Sequence, residues 1–157
     1  MKRRDQSDQT FDSPSTDSVK DGDRSLFHTI ADLSPEGLTI IENGVVVFAN
    51  DKICEILGVE RDDVASLSSF DFAAPEEKTR LQRIAAEMRS GSRLLDELHF
   101  WIERPSDGER RYLRNRYVPL RREGQVIGRL VLTEDITAKK LEARKQAQNE
   151  ERARHAQ

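Results

Sequence analysis

The distribution of apolar and polar positions divides the chain into three parts. Residues 1–23 contain almost no apolar side chains, which predicts a disordered polar tail. Residues 24–137 have an ordinary density of apolar residues and are numerous enough to close a single core. Residues 138–157 are nearly all charged or small, which predicts either a solvated C-terminal helix or a frayed tail. The pattern therefore indicates one domain with a polar segment at each end.

The first elements of the central part are predicted to be a helix and a hairpin. Apolar residues at helical spacing mark an entry helix, at Leu26, Phe27, Ile30 and Leu33. Pro35 is expected to end this helix, because proline disfavours the helical conformation of the residue before it. The apolar runs 37–41 and 45–48 then flank Asn43-Gly44. Both turn residues tolerate positive φ, so this sequence predicts a tight β-hairpin.

The next segments predict helices followed by three strands. Asn50 is suited to cap a short helix that ends at Gly58, and Pro75 is suited to open a longer one. Alternating apolar and polar residues predict strands at 97–103, 112–120 and 125–135. The expected fold class is α+β: a five-stranded antiparallel sheet with short helices between strands two and three, flanked by N- and C-terminal helices.

Charge and cysteine content limit the possible partners and compartments. The formal net charge is −3 and no basic stripe stands out, so nucleic-acid binding is not expected. Cys54 is the single cysteine, which excludes an intrachain disulfide and suits a reducing compartment. The basic start at residues 1–4 is not followed by the apolar segment of a signal peptide. No apolar run approaches membrane-spanning length, so we expect a cytoplasmic protein without a membrane span.

The order and spacing of several short motifs resemble the PAS domain family of signalling sensors. The matching stretches are Ser34-Pro35-Glu36-Gly37, Glu42-Asn43-Gly44, Asn50 with Ile56-Leu57-Gly58, Pro75-Glu76, Asp107-Gly108, Pro119, and Gly128 through Asp135-Ile136-Thr137. The resemblance covers residues 24–142. It implies a PAS-like sheet and helices that enclose an apolar pocket for a ligand or cofactor. It also implies flanking helices that dimerise and relay a change in the pocket.

The resemblance implies a set of pocket-lining residues on the hairpin, the helices and the later strands. These are Leu38, Ile40, Val46, Phe48, Ile53, Leu57, Leu81, Ile84, Met88, Leu98, Phe100, Ile102, Leu130 and Leu132. The alternative for most of them is an ordinary core position. Asn115 and Tyr117 differ, because strand alternation puts them on the same face as Leu113. A buried amide or phenol needs a partner, which would be a ligand, a water or the backbone.

Two residue patterns that some cofactor-binding PAS proteins use, one for haem and one for a flavin adduct, do not appear in this chain. Some relatives hold haem through a histidine on the long helix, but residues 75–90 contain none. The flavin-photosensing branch uses a cysteine in an Asn-Cys-Arg-Phe-Leu-Gln type motif, which the surroundings of Cys54 lack. Haem and a covalent flavin adduct are therefore disfavoured, and the cofactor stays unknown. No metal-ligand spacing, phosphate-binding loop or nucleophile–base pair is present, so we expect neither a metal site nor catalysis.

One tryptophan suggests a dimer interface. Strand alternation puts Trp101 on the face opposite the predicted pocket, where an indole is not expected to face water alone. We expect the entry helix of the same or a partner chain to cover it. The predicted homodimer interface is Leu26, Phe27, Ile30, Trp101 and Val131. Replacement of Trp101 by alanine is expected to weaken self-association more than folding.

The end of the last strand is the predicted point of signal relay. Asp135, Ile136 and Thr137 connect it to the exit helix, and this junction would couple the sheet to whatever lies downstream. Three functional hypotheses follow from the resemblance: a sensory module that binds a small molecule or cofactor in intracellular signal transduction; a PAS fold without ligand that serves dimerisation or protein interaction; or the sensor segment of a larger regulator, such as a histidine kinase of a two-component system.

Overall fold

The computed structural model describes residues 21–64, 69–91 and 95–156. In chain order the helices and strands are α1 (Asp21–Asp32), β1 (Gly37–Glu42), β2 (Val45–Ala49), α2 (Asp51–Leu57), α3 (Arg61–Val64), α4 (Lys78–Arg89), β3 (Glu97–Glu103), β4 (Arg110–Arg122), β5 (Gln125–Asp135) and α5 (Thr137–His155). Two 3₁₀ turns, Ser69–Phe72 and Pro75–Glu77, precede α4. Of the predicted N-terminal tail, residues 1–20 lie outside the described residues, and residues 21–23 belong to α1.

The five strands form one antiparallel sheet in the order β2-β1-β5-β4-β3. The first and last strands, β1 and β5, are therefore neighbours in the middle of the sheet. The helices between β2 and β3 follow the second strand of the chain, as the sequence predicts. The predicted α+β fold class is confirmed, and both ends of the domain continue into helices.

The hairpin between β1 and β2 has the predicted turn and also a break in register that was not predicted from the sequence. Asn43 and Gly44 both have positive φ, 51° and 76°. Ile40 pairs with Phe48, whereas the next residue, Ile41, pairs with Val46. One extra residue on β2 thus forms a β-bulge, which reverses the alternation of side chains between the two faces. Val46 and Phe48 consequently point to opposite faces of the sheet.

The hydrophobic core lies between one face of the sheet and the helices α2 and α4. Its buried members are Ile53, Ile56, Leu57, Phe72, Ala73, Leu81, Ile84, Leu98, Phe100, Ile102 and Leu113. The strand members alternate with outward-facing residues along β3 and β4, as expected for a sheet covered on one face. We call this covered side the inner face and the opposite side the outer face.

The buried side chain of Asn50 joins three elements at the start of α2. Its Oδ1 accepts the backbone N–H groups of Ile53 at 3.1 Å and Leu38 at 2.9 Å. Its Nδ2 donates to the carbonyl oxygens of Ala31 at 2.8 Å and Glu36 at 3.0 Å. The predicted cap of α2 is therefore confirmed. The same amide also holds α1 and β1 in position.

Candidate ligand cavity and its link to the exit helix

The inner face of β1 is set by the close approach of helix α2. A β-carbon built on Gly37 would lie 3.0 Å from Cβ of Ile53, so α2 packs directly on this glycine. Side chains alternate along a strand, which puts Thr39 and Ile41 on the same inner face. In β5 their partners are Val131 and Arg129, and Gly37 pairs with Thr133.

The predicted inner face of β1 and β5 is therefore wrong by one residue. Leu38 pairs with Leu132 and Ile40 with Leu130 on the outer face, where all four are half-buried. Phe48 also lies on the outer face because of the β-bulge, and its ring is 5.0 Å from the ring of Phe27 in α1. These five residues do not line the pocket. Their packing partners are on the other side of the sheet.

Val131 is likewise not an interface residue. It is buried, with 6% of its surface exposed, and its side chain lies on the inner face among the cavity-lining residues. The assignment to the dimer interface followed from the same one-residue error in β5. Both strands are apolar on both faces, so the size of the side chains alone does not distinguish the two sides.

A cavity of about 40 Å³ lies between the inner face of the sheet and α2. Its lining residues are Thr39, Ile41, Val46, Ile53, Leu57, Phe70, Asn115, Tyr117, Arg129, Val131 and Thr133. Five of the predicted pocket residues are among them: Val46, Ile53, Leu57, Asn115 and Tyr117. Other predicted residues belong to the core or pack against it instead: Leu81, Ile84, Met88, Leu98, Phe100 and Ile102.

Sequence reasoning missed the lining residues Thr39, Ile41, Phe70, Arg129, Val131 and Thr133. A signal for two of them, Thr39 and Ile41, was available. Gly37 lies in phase with Thr39 and Ile41, and a glycine in a strand often marks the close approach of another backbone. Had Gly37 been assigned to the side facing the helices, the threonines and not the leucines would have pointed inward.

A chain of hydrogen bonds crosses the cavity from β5 to β4. Thr133 Oγ1 donates to Asn115 Oδ1 at 2.8 Å, and Asn115 Nδ2 donates to Tyr117 Oη at 3.2 Å. Asn115 is 0% exposed and Thr133 is 1% exposed. Burial raises the pKa of the Tyr117 phenol, and the neighbouring Asn115 and Arg129 oppose this only in part. The phenol is therefore neutral near pH 7, and its O–H is a donor.

Arg129 adds a positive charge to the lining. Its guanidinium carbon lies 5.8 Å from the centre of the Tyr117 ring. Its Nε is buried and has no hydrogen-bond acceptor among the described residues. Arg104 and Arg111 also have a buried Nε without an acceptor, but each forms ion pairs through its terminal nitrogens. Among the lining residues that the structure describes none is acidic, so Arg129 gives the site a net positive charge.

The residues present do not fit haem or flavin. Pockets for drug-sized ligands have volumes of roughly 300–1,000 Å³, far larger than the 40 Å³ found here. Helix α4 has no histidine, and Cys54 is not a lining residue. Burial raises the pKa of the Cys54 thiol, which disfavours the reactive thiolate.

The predicted relay residues form a compact junction between β4 and α5. Thr137 Oγ1 accepts the backbone N–H of Tyr112 at 2.8 Å. The Ile136 N–H donates to the Tyr112 carbonyl oxygen at 2.9 Å. The Asp135 carboxylate accepts the N–H of Thr137 at 3.0 Å and also its hydroxyl. The first turn of α5 is thus tied to β4 as well as to the strand that leads into it.

Trp101 is covered by α5, not by the chain's own entry helix. Its ring packs on Tyr112 at 4.9 Å, and the guanidinium carbons of Arg144 and Arg110 lie 5.3 and 5.5 Å from its centre. Lys140 Nζ lies 4.9 Å from the centre of the Tyr112 ring. Helix α1 contacts β2, at the opposite edge of the sheet. The prediction that the chain's own α1 covers Trp101 is therefore wrong.

Comparison with known families identifies this arrangement. A family model described as "PAS fold" matches residues 31–141, most of the chain. The chain belongs to the PAS family. A PAS domain is a sensor module that is often part of a signalling enzyme and is not itself catalytic. No curated protein is similar enough in sequence to count as a relative.

Solved PAS structures share the fold of this PAS domain at low sequence identity. A PAS domain from Colwellia psychrerythraea has a TM-score of 0.57 and 16% identity, over 73% of this chain and 98% of that one. The N-terminal domain of a diguanylate cyclase with PAS/PAC sensor from Marinobacter aquaeolei has a TM-score of 0.57 and 15% identity, over 66% and 97%. A PAS domain from a two-component sensor histidine kinase has a TM-score of 0.54 and 12% identity, over 71% and 95%. In the described part of this PAS domain, no helix combines the length and apolar character needed to cross a membrane.

Proposed function

We propose that this PAS domain senses a small molecule in the cavity and transmits the change to α5 through strands β4 and β5. The observation that carries the proposal is the position of the polar network. Asn115 and Tyr117 lie on β4 and Thr133 on β5, the two strands that meet at the junction with α5. A ligand that exchanges hydrogen bonds with these side chains acts on the strands that hold the exit helix.

The path from the cavity to the helix is short. Asn115 pairs with Thr133, and the next inner-face pair along the two strands is Leu113 with Asp135. Asp135 accepts hydrogen bonds from Thr137, and Thr137 accepts the N–H of Tyr112. A shift of β5 against β4 at the cavity therefore changes the geometry of the bonds that fix the first turn of α5.

The size of the cavity limits what is sensed. A volume of about 40 Å³ is close to that of one or two waters. A ligand that enters without rearrangement of the core is therefore small, with only a few non-hydrogen atoms. A ligand-free interaction module is the alternative function, in which the polar groups bind only water and each other.

The apolar surface of α1 supports a homodimer as a further part of the proposal. Leu26, Phe27 and Ile30 are 60%, 49% and 61% exposed. Helix α1 packs against Phe48, next to the half-buried outer-face leucines, so the apolar surface continues from helix to sheet. A second copy of the chain offers the same uncharged surface, and two-fold symmetry brings the two surfaces together. Trp101 lies at the other edge of the sheet and is not part of this interface.

The dimer is tested by replacing Ile30 with glutamate and measuring sedimentation velocity. A charge in the centre of the interface is expected to convert the dimer into a monomer. Leu141 is 52% exposed on α5 and provides a matched control, because Leu141→Glu leaves α1 unchanged. A monomeric parent protein, or a variant that sediments like the parent, contradicts the dimer.

The setting of this module is also part of the proposal. A module of this kind works as the sensor of a larger regulator, and solved structures with this fold come from a sensor histidine kinase and a diguanylate cyclase. The cytoplasmic location stays a prediction from the single cysteine.

Native mass spectrometry of freshly purified protein tests ligand sensing. A sensor is expected to carry a small bound mass that is lost on denaturation, and the same spectra report the number of subunits. Hydrogen exchange before and after removal of that mass is expected to differ at the first turn of α5. Protein that carries no bound mass, and whose α5 exchange does not respond to any change in the cavity, supports the ligand-free interaction module.

A further inference from the structure

We infer that the ligand of this cavity is a short-chain carboxylic acid whose carboxylate is bound by Arg129. The inference rests on the proposed sensing function and names the chemical class of its ligand. It is carried by the contrast between Arg129 and the other half-buried arginines of the described residues, and by the composition of the cavity wall.

Arg129 is a half-buried cation with no counter-ion among the described residues. Arg111, Arg114 and Arg116 are also half-buried, but they pair with acidic side chains on the surface or on neighbouring strands. Among the described residues, Arg129 has no such pair, and its buried Nε has no acceptor. Burying a donor without an acceptor costs stability, and a bound anion would supply the missing acceptor.

The groups beside Arg129 favour a carboxylate over other ligands. The guanidinium presents its donors in a planar fork that matches the two oxygens of a carboxylate. The neutral Tyr117 phenol is a further donor within the same wall. No acidic side chain is among the described lining residues, so an amine would find no counter-charge there. The charge of Arg129 therefore favours anionic ligands over cationic ones, and neutral ligands gain less from it than anions do.

The rest of the lining accommodates a short hydrocarbon chain. Ile41 and Val131 neighbour Arg129 on the inner face, and the side chains of Val46, Ile53 and Leu57 continue this apolar wall. The cavity thus has one charged side and one apolar side, as an amphipathic acid requires. Its volume of about 40 Å³ restricts the ligand to the shortest acids, with acetate at the limit of what enters without rearrangement and propionate as a test of that limit.

Titration by NMR tests the inference directly. The ¹⁵N-labelled protein is titrated with sodium acetate and sodium propionate, each compared with its uncharged isostere, acetamide or propionamide, and with sodium chloride at equal ionic strength. We expect the amides of Thr39, Tyr117 and Val131 to shift saturably with at least one carboxylate and not with the amides or chloride. Equal shifts with carboxylate and amide, or with chloride, would overturn the inference.

Variants of Arg129 locate the binding site. Arg129→Gln is expected to weaken carboxylate binding about tenfold or more, because the charge and the fork are both lost. Arg129→Lys keeps the charge but not the planar fork of donors. Its affinity for the carboxylate is expected to lie between those of the parent and Arg129→Gln. Arg121→Gln is the matched control, because Arg121 is exposed on β4 and is not a lining residue. Binding by Arg129→Gln with the affinity of the parent contradicts the inference, and thermal melting verifies that the variant is folded.

The outcomes separate this inference from the proposed function. A purified protein that carries a neutral or basic bound molecule, and whose α5 responds to its removal, overturns the carboxylate while sensing stands. A carboxylate that binds through Arg129 without any change in α5 supports the ligand class and contradicts the relay. If neither carboxylate binding through Arg129 nor a response of α5 is observed, both proposals are overturned.

Discussion

Thr137 and Tyr112 are joined by a hydrogen bond of 2.8 Å from the backbone N–H of Tyr112 to the hydroxyl oxygen of Thr137. The bond spans 25 residues and connects the first turn of the exit helix to strand β4. Helix α5 has no buried residues. This bond, the bond from the Ile136 N–H to the Tyr112 carbonyl oxygen, and the contacts of Lys140 and Arg144 with aromatic rings therefore hold the helix to the domain.

Replacement of Thr137 by valine removes the acceptor without changing the shape of the side chain. The Tyr112 N–H is then left without its partner, and we expect a loss of about 1–2 kcal/mol in the free energy of unfolding. Faster hydrogen exchange is expected at Tyr112 and in the first turn of α5. Thr137→Ser keeps the hydroxyl and serves as the control, with exchange near that of the parent. Similar exchange rates in the valine and serine variants would show that this bond does not hold the helix.

Replacement of Asn50 by alanine tests its role as a connector. It removes an acceptor for two backbone N–H groups and a donor for two backbone carbonyls at a fully buried position. We expect a loss of about 3 kcal/mol in the free energy of unfolding, measured by denaturant titration. Asn149→Ala on the exposed face of α5 is the control, with a change within about 0.5 kcal/mol. An equally small effect at Asn50 would contradict the assigned bonds.

Trp101 is the single tryptophan of the chain, so its fluorescence reports the docking of α5. Arg144→Ala removes one cation from its ring, and we expect a red-shifted emission and a loss of about 0.5–1 kcal/mol. Arg152 lies about two turns further along the exposed helix, and its replacement by alanine is expected to leave the emission unchanged. Emission spectra that are identical in the parent and Arg144→Ala would mean that α5 does not shield the indole.

The Tyr117 phenol predicts a loss of stability at high pH. Its pKa is raised in the folded state by burial, whereas an unfolded tyrosine ionises near about pH 10. The contribution to stability is therefore complete below the unfolded pKa and is lost as pH rises through the folded pKa. Above about pH 10, urea titrations are expected to show a steeper fall in stability with pH for the parent than for Tyr117→Phe. Tyr112→Phe removes the other tyrosine and is expected to keep the steep fall; equal slopes in the parent and Tyr117→Phe argue against a buried phenol.

The sequence predicted those parts of the fold in which local chemistry decides the structure. The turn at Asn43-Gly44, the cap at Asn50 and the stop at Gly58 follow from backbone preferences that depend on few neighbours. The inner faces of β3 and β4 were also predictable. In β3, Leu98, Phe100 and Ile102 share one face, and in β4 the charged Arg114 and Arg116 mark the face opposite Leu113.

The inner faces of β1 and β5 could not be predicted from alternation. Both strands carry apolar residues on both faces, and the leucines at 130 and 132 are larger than the threonine and valine that point into the cavity. The bulge in β2 depends on pairing with β1, and pairing is not visible in a single strand. The same one-residue error in β5 assigned Arg129 to the outer face, so this charged lining residue was not predicted. The cover of Trp101 depends on where α5 lies in space, which its uniform charge pattern does not indicate.

Hydrogen exchange in a cavity-filled variant tests most directly whether the cavity is coupled to α5. Val131→Ile adds one methylene group inside the cavity, and Val118→Ile adds the same group on β4, where Val118 is 44% exposed and pairs with Leu130 of the outer face. If the cavity is coupled to α5, exchange of the Tyr112 and Ile136 amides is slowed about threefold or more in Val131→Ile and is unchanged in Val118→Ile. If both amides exchange in Val131→Ile as they do in the parent while the amides around the cavity respond, the cavity is not linked to the exit helix and the account is wrong.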